Sequence, residues 1–163
     1  QVKRSRTPGR VATLALGLVL LASSSCSSLD AKVGARTPQC VDVDSDPAKR
    51  VNFKDELRPL MNGDIAGTKG CASCHYQSRG TRQGLEQTGL NLETLGTMRK
   101  GGANTGANVI VPGSPCKSFV VQKLQGTAPM GAQMPKDGPY WGPREVQLMI
   151  DWIAEGAIGD DSE

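Results

Sequence analysis

The chain has 163 residues, room for one domain with a modest core plus extensions. Hydrophobic residues make up 37% of it but aromatic ones only 4%, so large side chains to fill a core are few. The formal charge of +3 belongs to the first 25 residues, which hold four basic and no acidic side chains; the other 138 carry 15 basic and 16 acidic, a net of −1, and composition gives nucleic-acid binding no support.

Residues 1–25 read as an export signal. Lys3, Arg4, Arg6 and Arg10 form a basic start, and the uncharged apolar run from Val11 to Ala22 is too short to span a bilayer comfortably. Ala22, Ser23, Ser24 and Ser25 then lead to Cys26. The pattern resembles a bacterial lipoprotein signal, which implies lipidation at Cys26, although Ser23 stands where such signals usually carry Leu. Cleavage nearby by an ordinary signal peptidase is the competing reading. Residues 26–50 are polar, lack apolar periodicity and read as a flexible tether. Asp42, Asp44 and Asp46 alternate like calcium ligands, but the glycine and distal glutamate of an EF-hand loop are absent.

Residues 51–158 read as an all-α domain of helices separated by long glycine-rich loops, and 159–163 as an acidic tail. A first helix starts after Asn52, with Phe53, Leu57, Leu60 and Met61 on one face and a kink or early stop at Pro59. A weaker helix covers about 93–100 and ends at Gly101-Gly102. Residues 101–113 form a loop without the G-K-[ST] of a phosphate loop. Ser114 and Pro115 then open a helix expected to run to Gln125. The last helix is the clearest: Pro143 opens it, Gly156 ends it, and Val146, Met149, Ile150 and Ile153 form one apolar stripe widened by Leu148 and Trp152. Arg144, Gln147, Asp151 and Glu155 fall on the opposite face.

The chemistry is carried by Cys71-Ala72-Ser73-Cys74-His75, a C-x-x-C-H. Two thiols at this spacing reach the two vinyl groups on one edge of a haem, and the adjacent imidazole then lies under the ring, where it can bind iron. His75 is the only histidine in the chain. A lone histidine is more often structural, but its place directly after Cys74 overturns that prior. A thioredoxin-like redox pair would need strand–helix alternation around the motif, and none is visible. A structural zinc site would need four ligands, and Cys40 and Cys116 are distant with no second histidine to help. The reading is one covalent haem c, with Cys71 and Cys74 as thioethers and His75 as proximal iron ligand. A flat apolar cofactor would also supply core that the chain lacks.

With no second histidine, methionine is the natural sixth ligand. Met61 and Met149 sit on apolar helical faces, and packing is the simpler role for Met98 too. Met130 and Met134 lie in a loop, and Pro135 biases Met134 to an extended backbone that can present a thioether. Met134 is favoured, with Met130 as the alternative; a third reading leaves the sixth position open to water or a ligand.

The order of features resembles the class I cytochrome c family over about 51–158, in particular a bacterial single-haem type. The features are a short helix, CxxCH, a glycine-rich middle, Pro112-Gly113-Ser114-Pro115, Ser118, Met134-Pro135 and Glu145 through Ala157 with its WI..GA ending. The resemblance implies a small all-α fold around one haem, with His75 proximal and Met134 distal. The middle segment is longer than in the smallest cytochromes, which leaves the course of residues 78–113 open.

Once Cys26, Cys71 and Cys74 are assigned, Cys40 and Cys116 remain, and an oxidising compartment favours a disulfide between them. The expected function is electron transfer by one haem cycling between Fe(II) and Fe(III), in a carrier or a subunit of a larger oxidoreductase. Redox proteins are the expected partners, and the expected place is the bacterial periplasm or outer membrane, through a lipid anchor. The competing class is a haem enzyme subunit or gas-binding sensor with an open sixth position. A third is a non-haem lipoprotein with a structural C-x-x-C.

Overall fold

The structure is a computed structural model that describes residues 40–163. The export signal, Cys26 and the first part of the tether lie outside the described residues. Among the described residues the regular structure is helical; one isolated bridge joins Gly102 and Gly106, and no strand forms. No described helix is long and apolar enough to cross a membrane.

The first helical segment is split where Pro59 predicts. Asn52 is the N-cap and its side chain accepts from the Asp55 amide. Phe53–Leu57 is a π-helical turn closed by the Arg58 N–H on the Phe53 carbonyl, and α1 (Arg58–Asn62) follows. Proline has no N–H to continue the i→i−4 ladder, and the wider turn accommodates the lost bond.

The motif forms α2 (Ala72–His75), a single turn. Next come α3 (Gln83–Thr88), which the sequence reading did not place, and α4 (Leu95–Lys100), capped by Thr94 through a reciprocal box with Thr97. A 3₁₀ turn follows at Ala107–Val109.

The helix expected from Ser114 to Gln125 is instead two pieces, a 3₁₀ turn at Pro115–Lys117 and α5 (Phe119–Gln125). The break falls at Ser118, whose backbone is extended. Its buried hydroxyl donates to the Ser114 carbonyl at 3.0 Å and accepts from the Val111 amide at 2.8 Å. A serine side chain that satisfies nearby backbone in this way competes with the helix ladder.

α6 (Pro143–Ala154) is the longest described helix and packs on the first segment, on the Pro115–Lys117 turn and on α5. Phe53 and Trp152 meet with ring centroids 4.8 Å apart. Leu57, Met61, Met98, Met149, Ile150 and Ile153 are all buried around them. Asp151, placed by periodicity on the polar face of α6, is also buried.

The cause is the segment before residue 51. Residues 40–50, which the sequence places in the tether, are fastened across the domain. Cys40 and Cys116 form a disulfide with Cα atoms 5.6 Å apart. Asp42 accepts the Cys116 amide at 2.7 Å. Ser45 donates its amide and its hydroxyl to the two carboxylate oxygens of Asp151 at 2.9 and 2.6 Å. The Val51 amide donates to Glu155. The acidic tail is fastened too: the amides of Leu95 and Gly96, at the start of α4, donate to the carbonyls of Glu163 and Asp161.

Candidate functional site

The one-turn helix α2 brings the motif to one face. The His75 and Cys74 amides both donate to the Cys71 carbonyl, at 2.9 and 3.2 Å, so Cys71, Cys74 and His75 sit at one turn's spacing on the same side. Neither Cys71 nor Cys74 is in a disulfide. Apolar surroundings push the Cys71 thiol up to about 12, with Arg58 pulling it down and Cys74 adding to the rise.

His75 is held by the segment that follows α3. Its carbonyl accepts from the Leu92 amide at 3.0 Å, and its Nδ1 lies 3.1 Å from the Leu90 carbonyl. A carbonyl can only accept, so Nδ1 carries the proton and Nε2 keeps its lone pair. Burial holds the imidazole below its ordinary pKa, against the opposing pull of the Leu90 bond, which favours the neutral ring that a metal needs.

Gly84 of α3 completes the setting. A Cβ there would lie 2.6, 2.7 and 2.9 Å from Nε2, Cε1 and Cδ2 of His75. Such near-equal distances put it over the ring face, not in line with the Nε2 lone pair. The glycine therefore lets α3 press against the imidazole while the coordinating direction is not the one it covers.

Arg58 ties α1 to the same region. Its Nη1 donates to the Tyr76 hydroxyl at 2.9 Å and to the Leu92 carbonyl at 3.2 Å, and its guanidinium lies 4.7 Å from the Phe53 ring centroid. The Tyr76 hydroxyl in turn donates to Asn62.

These groups open onto a mainly apolar cleft. Cys71, Cys74 and His75 line it together with Leu90, Val109, Phe119 and Leu124, and Met134 and Pro135 close it from the loop after α5. Met130 stands apart from the lining and is 48% exposed. No acidic side chain lines the cleft; its charges are Lys69, Lys123 and Lys136.

The residues present fit a haem. The space is mainly apolar, as a flat macrocycle requires. Two thiols stand three positions apart on one helical turn, an imidazole protonated at Nδ1 offers Nε2, and a thioether lines the same space. Cys71 and Cys74 would hold the ring edge, and His75 and Met134 would bind the metal. Sequence reasoning missed Leu90, Gly84, Lys69 and Lys123. A backbone carbonyl leaves no mark on the side-chain pattern, and a glycine or lysine is told apart from its many ordinary counterparts only by where the chain folds it.

Comparison with known families finds a match over part of the chain. Residues 71–138 match the family model described as Planctomycete cytochrome C, a span that opens on Cys71 and includes Met134. No curated protein and no solved structure matches the chain significantly. The family match and the helical fold together support a cytochrome c-like family for this chain.

Proposed function

We propose that the protein is an electron carrier with one covalently attached haem c, tethered in the bacterial envelope by a lipid on Cys26. The observation that carries this reading is the convergence of Cys71, Cys74, His75 and Met134 on one cleft. When bound, the haem supplies an iron that changes by one electron between Fe(II) and Fe(III).

The chain's own residues do the rest. Cys71 and Cys74 fix the cofactor so that it stays with the protein in both redox states. His75 presents Nε2, and the Leu90 carbonyl orients the ring and raises its basicity through Nδ1. Met134 would supply the second protein ligand, and a thioether paired with an imidazole raises the reduction potential. Leu90, Val109, Phe119 and Leu124 keep water from the ring and limit reorganisation when charge changes. Electron exchange needs only the open mouth of the cleft and a redox protein that docks there, so the chain serves as a carrier or as a subunit of a larger oxidoreductase. The leader directs it to the periplasm or the outer membrane.

The test is spectroscopic. Haem-loaded protein should show a one-electron redox titration, a low-spin spectrum in both states, and slow carbon monoxide binding when reduced. Met134→Ala should open the sixth position and make carbon monoxide binding fast, while Met130→Ala should change neither. Fast carbon monoxide binding by the unaltered protein would instead place it with the gas-binding or catalytic haem proteins.

A further inference from the structure

Two lysines reach the loop that carries Met134, from different parts of the chain. Lys123, on α5, donates its ammonium to the carbonyls of Met130 at 2.6 Å and Ala132 at 2.9 Å. Lys69, two residues before Cys71, donates to the carbonyl of Lys136 at 2.5 Å. Between the Ala132 and Lys136 carbonyls stand three residues, Gln133, Met134 and Pro135. Backbone bonds continue the same seam: the Met134 amide donates to the Lys123 carbonyl at 2.9 Å, and the Gln133 side chain donates to the Leu124 carbonyl at 2.8 Å.

The surroundings are built for these contacts. Gly131 has φ +67, which strains any residue with a Cβ, and a Cβ there would lie 2.7 Å from the Lys123 ammonium and displace it. The Lys123 ammonium also lies 5.5 Å from the Phe119 ring centroid, inside the range of a cation–π contact, and Phe119 lines the cleft. Burial lowers the Lys123 pKa, the mark of an ammonium partly removed from water. Lys69 is itself anchored, because the buried Trp141 donates its indole N–H to the Lys69 carbonyl at 3.0 Å.

We propose that Lys69 and Lys123 form a two-sided clasp that holds the Met134 loop closed on the cleft, one ammonium on each side of the methionine. This rests on the reading that Met134 is the sixth ligand. The ammoniums bond to carbonyls of the loop and not to the Met134 thioether; the lysines are positioning residues that act through the backbone of the loop. A free loop of this length would lose the thioether to solvent, and the sixth position would then admit small ligands.

The experiment uses the haem-loaded mature chain and compares Lys123→Met, Lys69→Met, their double variant, Lys123→Arg and Met134→Ala. Three quantities are read: the charge-transfer band of thioether-bound ferric haem, the carbon monoxide binding rate of the reduced protein, and the thermal unfolding midpoint. Lys69→Met should raise the carbon monoxide rate by about tenfold, the factor given by loss of one charge-assisted hydrogen bond, and Lys123→Met, which loses two, by at least as much. The double variant should go further and lose most of the band, and Lys123→Arg, which keeps the donors, should stay near the parent. If the double variant keeps the parent's band and rate while Met134→Ala loses the band, the clasp is overturned and the ligation reading stands. If Met134→Ala itself keeps both, the ligation reading fails and the clasp with it. A lower unfolding midpoint with unchanged band and rate also overturns the clasp, leaving the lysines a general packing role. Should one lysine variant fail to load haem, the other tests the proposal alone, since the two reach the loop from separate segments.

Discussion

The Nδ1 of His75 and the carbonyl oxygen of Leu90 lie 3.1 Å apart, and this contact decides which imidazole nitrogen is available to a metal. It also makes the ring's orientation depend on the segment that α3 leads into. Gly84 presses on the face of the same ring, where a Cβ would come within 2.6 Å of Nε2. Gly84→Ala should therefore tilt the imidazole or push α3 away, at an overpacking cost of about 1–3 kcal/mol. In haem-loaded protein the low-spin fraction should fall. A spectrum and stability equal to the parent's would show that α3 has room to retreat.

Trp152 is fully buried, stacks near Phe53 and donates its indole N–H to the Ile158 carbonyl at 2.8 Å. It joins the first helical segment to α6 and to the chain beyond it. Trp152→Ala should cost about 3–5 kcal/mol, as large-to-small changes of aromatic core residues do. Denaturant unfolding checks this. A loss below about 1 kcal/mol would mean that the two helical segments pack without it.

The Cys40–Cys116 disulfide closes a loop across a sequence separation of 76 residues. The chain-entropy account gives such a crosslink about 4.5 kcal/mol, and losses of about 2–4 kcal/mol are expected on replacing both cysteines with serine. The segment should then open to protease near residues 40–50, because it keeps only the polar contacts of residues such as Asp42, Ser45, Lys49 and Val51. Equal stability and equal protease resistance would show that the polar contacts suffice.

Glu56 links Lys49 to the first helical turn. Its carboxyl is held below the ordinary 4.5, first by the Lys49 side chain at 2.8 Å and next by the Asn52 amide. The folded pKa is thus below the unfolded one. The stabilisation is present in full above the unfolded value and is lost as pH falls through the depressed folded value. Lys49 is well exposed, so the effect is small and weakens in salt. Glu56→Gln should be slightly less stable than the parent at neutral pH and equal to it in acid. A difference that persists unchanged in acid would point to packing instead of charge.

The parts of this protein legible in its sequence are those written in side-chain chemistry or in long periodic stretches. The stripe of Val146, Met149, Ile150 and Ile153 announces α6, and Pro143 marks its start. Pro59 announces the break in the first segment because it lacks an N–H. The helix after Pro115 was expected to be continuous because no period shows a serine hydroxyl turning back on Ser114, yet that bond is what stops the 3₁₀ turn and starts α5. The short α3 has no buried residue to set a period. Asp151 reads as a solvent-facing residue until Ser45, 106 positions away, covers it. At the candidate site the cysteines and the histidine stand in one five-residue motif, whereas the contacts to the imidazole come from Leu90 and Gly84 and those to the Met134 loop from two lysines, all brought near only by the fold.

The central claim is that Cys71 and Cys74 bind a haem covalently. It is tested most directly by expressing the protein with a cytochrome c maturation system, denaturing it in alkaline pyridine and recording the reduced spectrum, with Cys71→Ala, Cys74→Ala and the double variant alongside. The account predicts haem that stays with the denatured chain and shows the two-thioether pyridine spectrum, a one-thioether spectrum for each single variant, and extractable haem for the double. A colourless protein, or haem that leaves the parent chain in acid acetone, would contradict it.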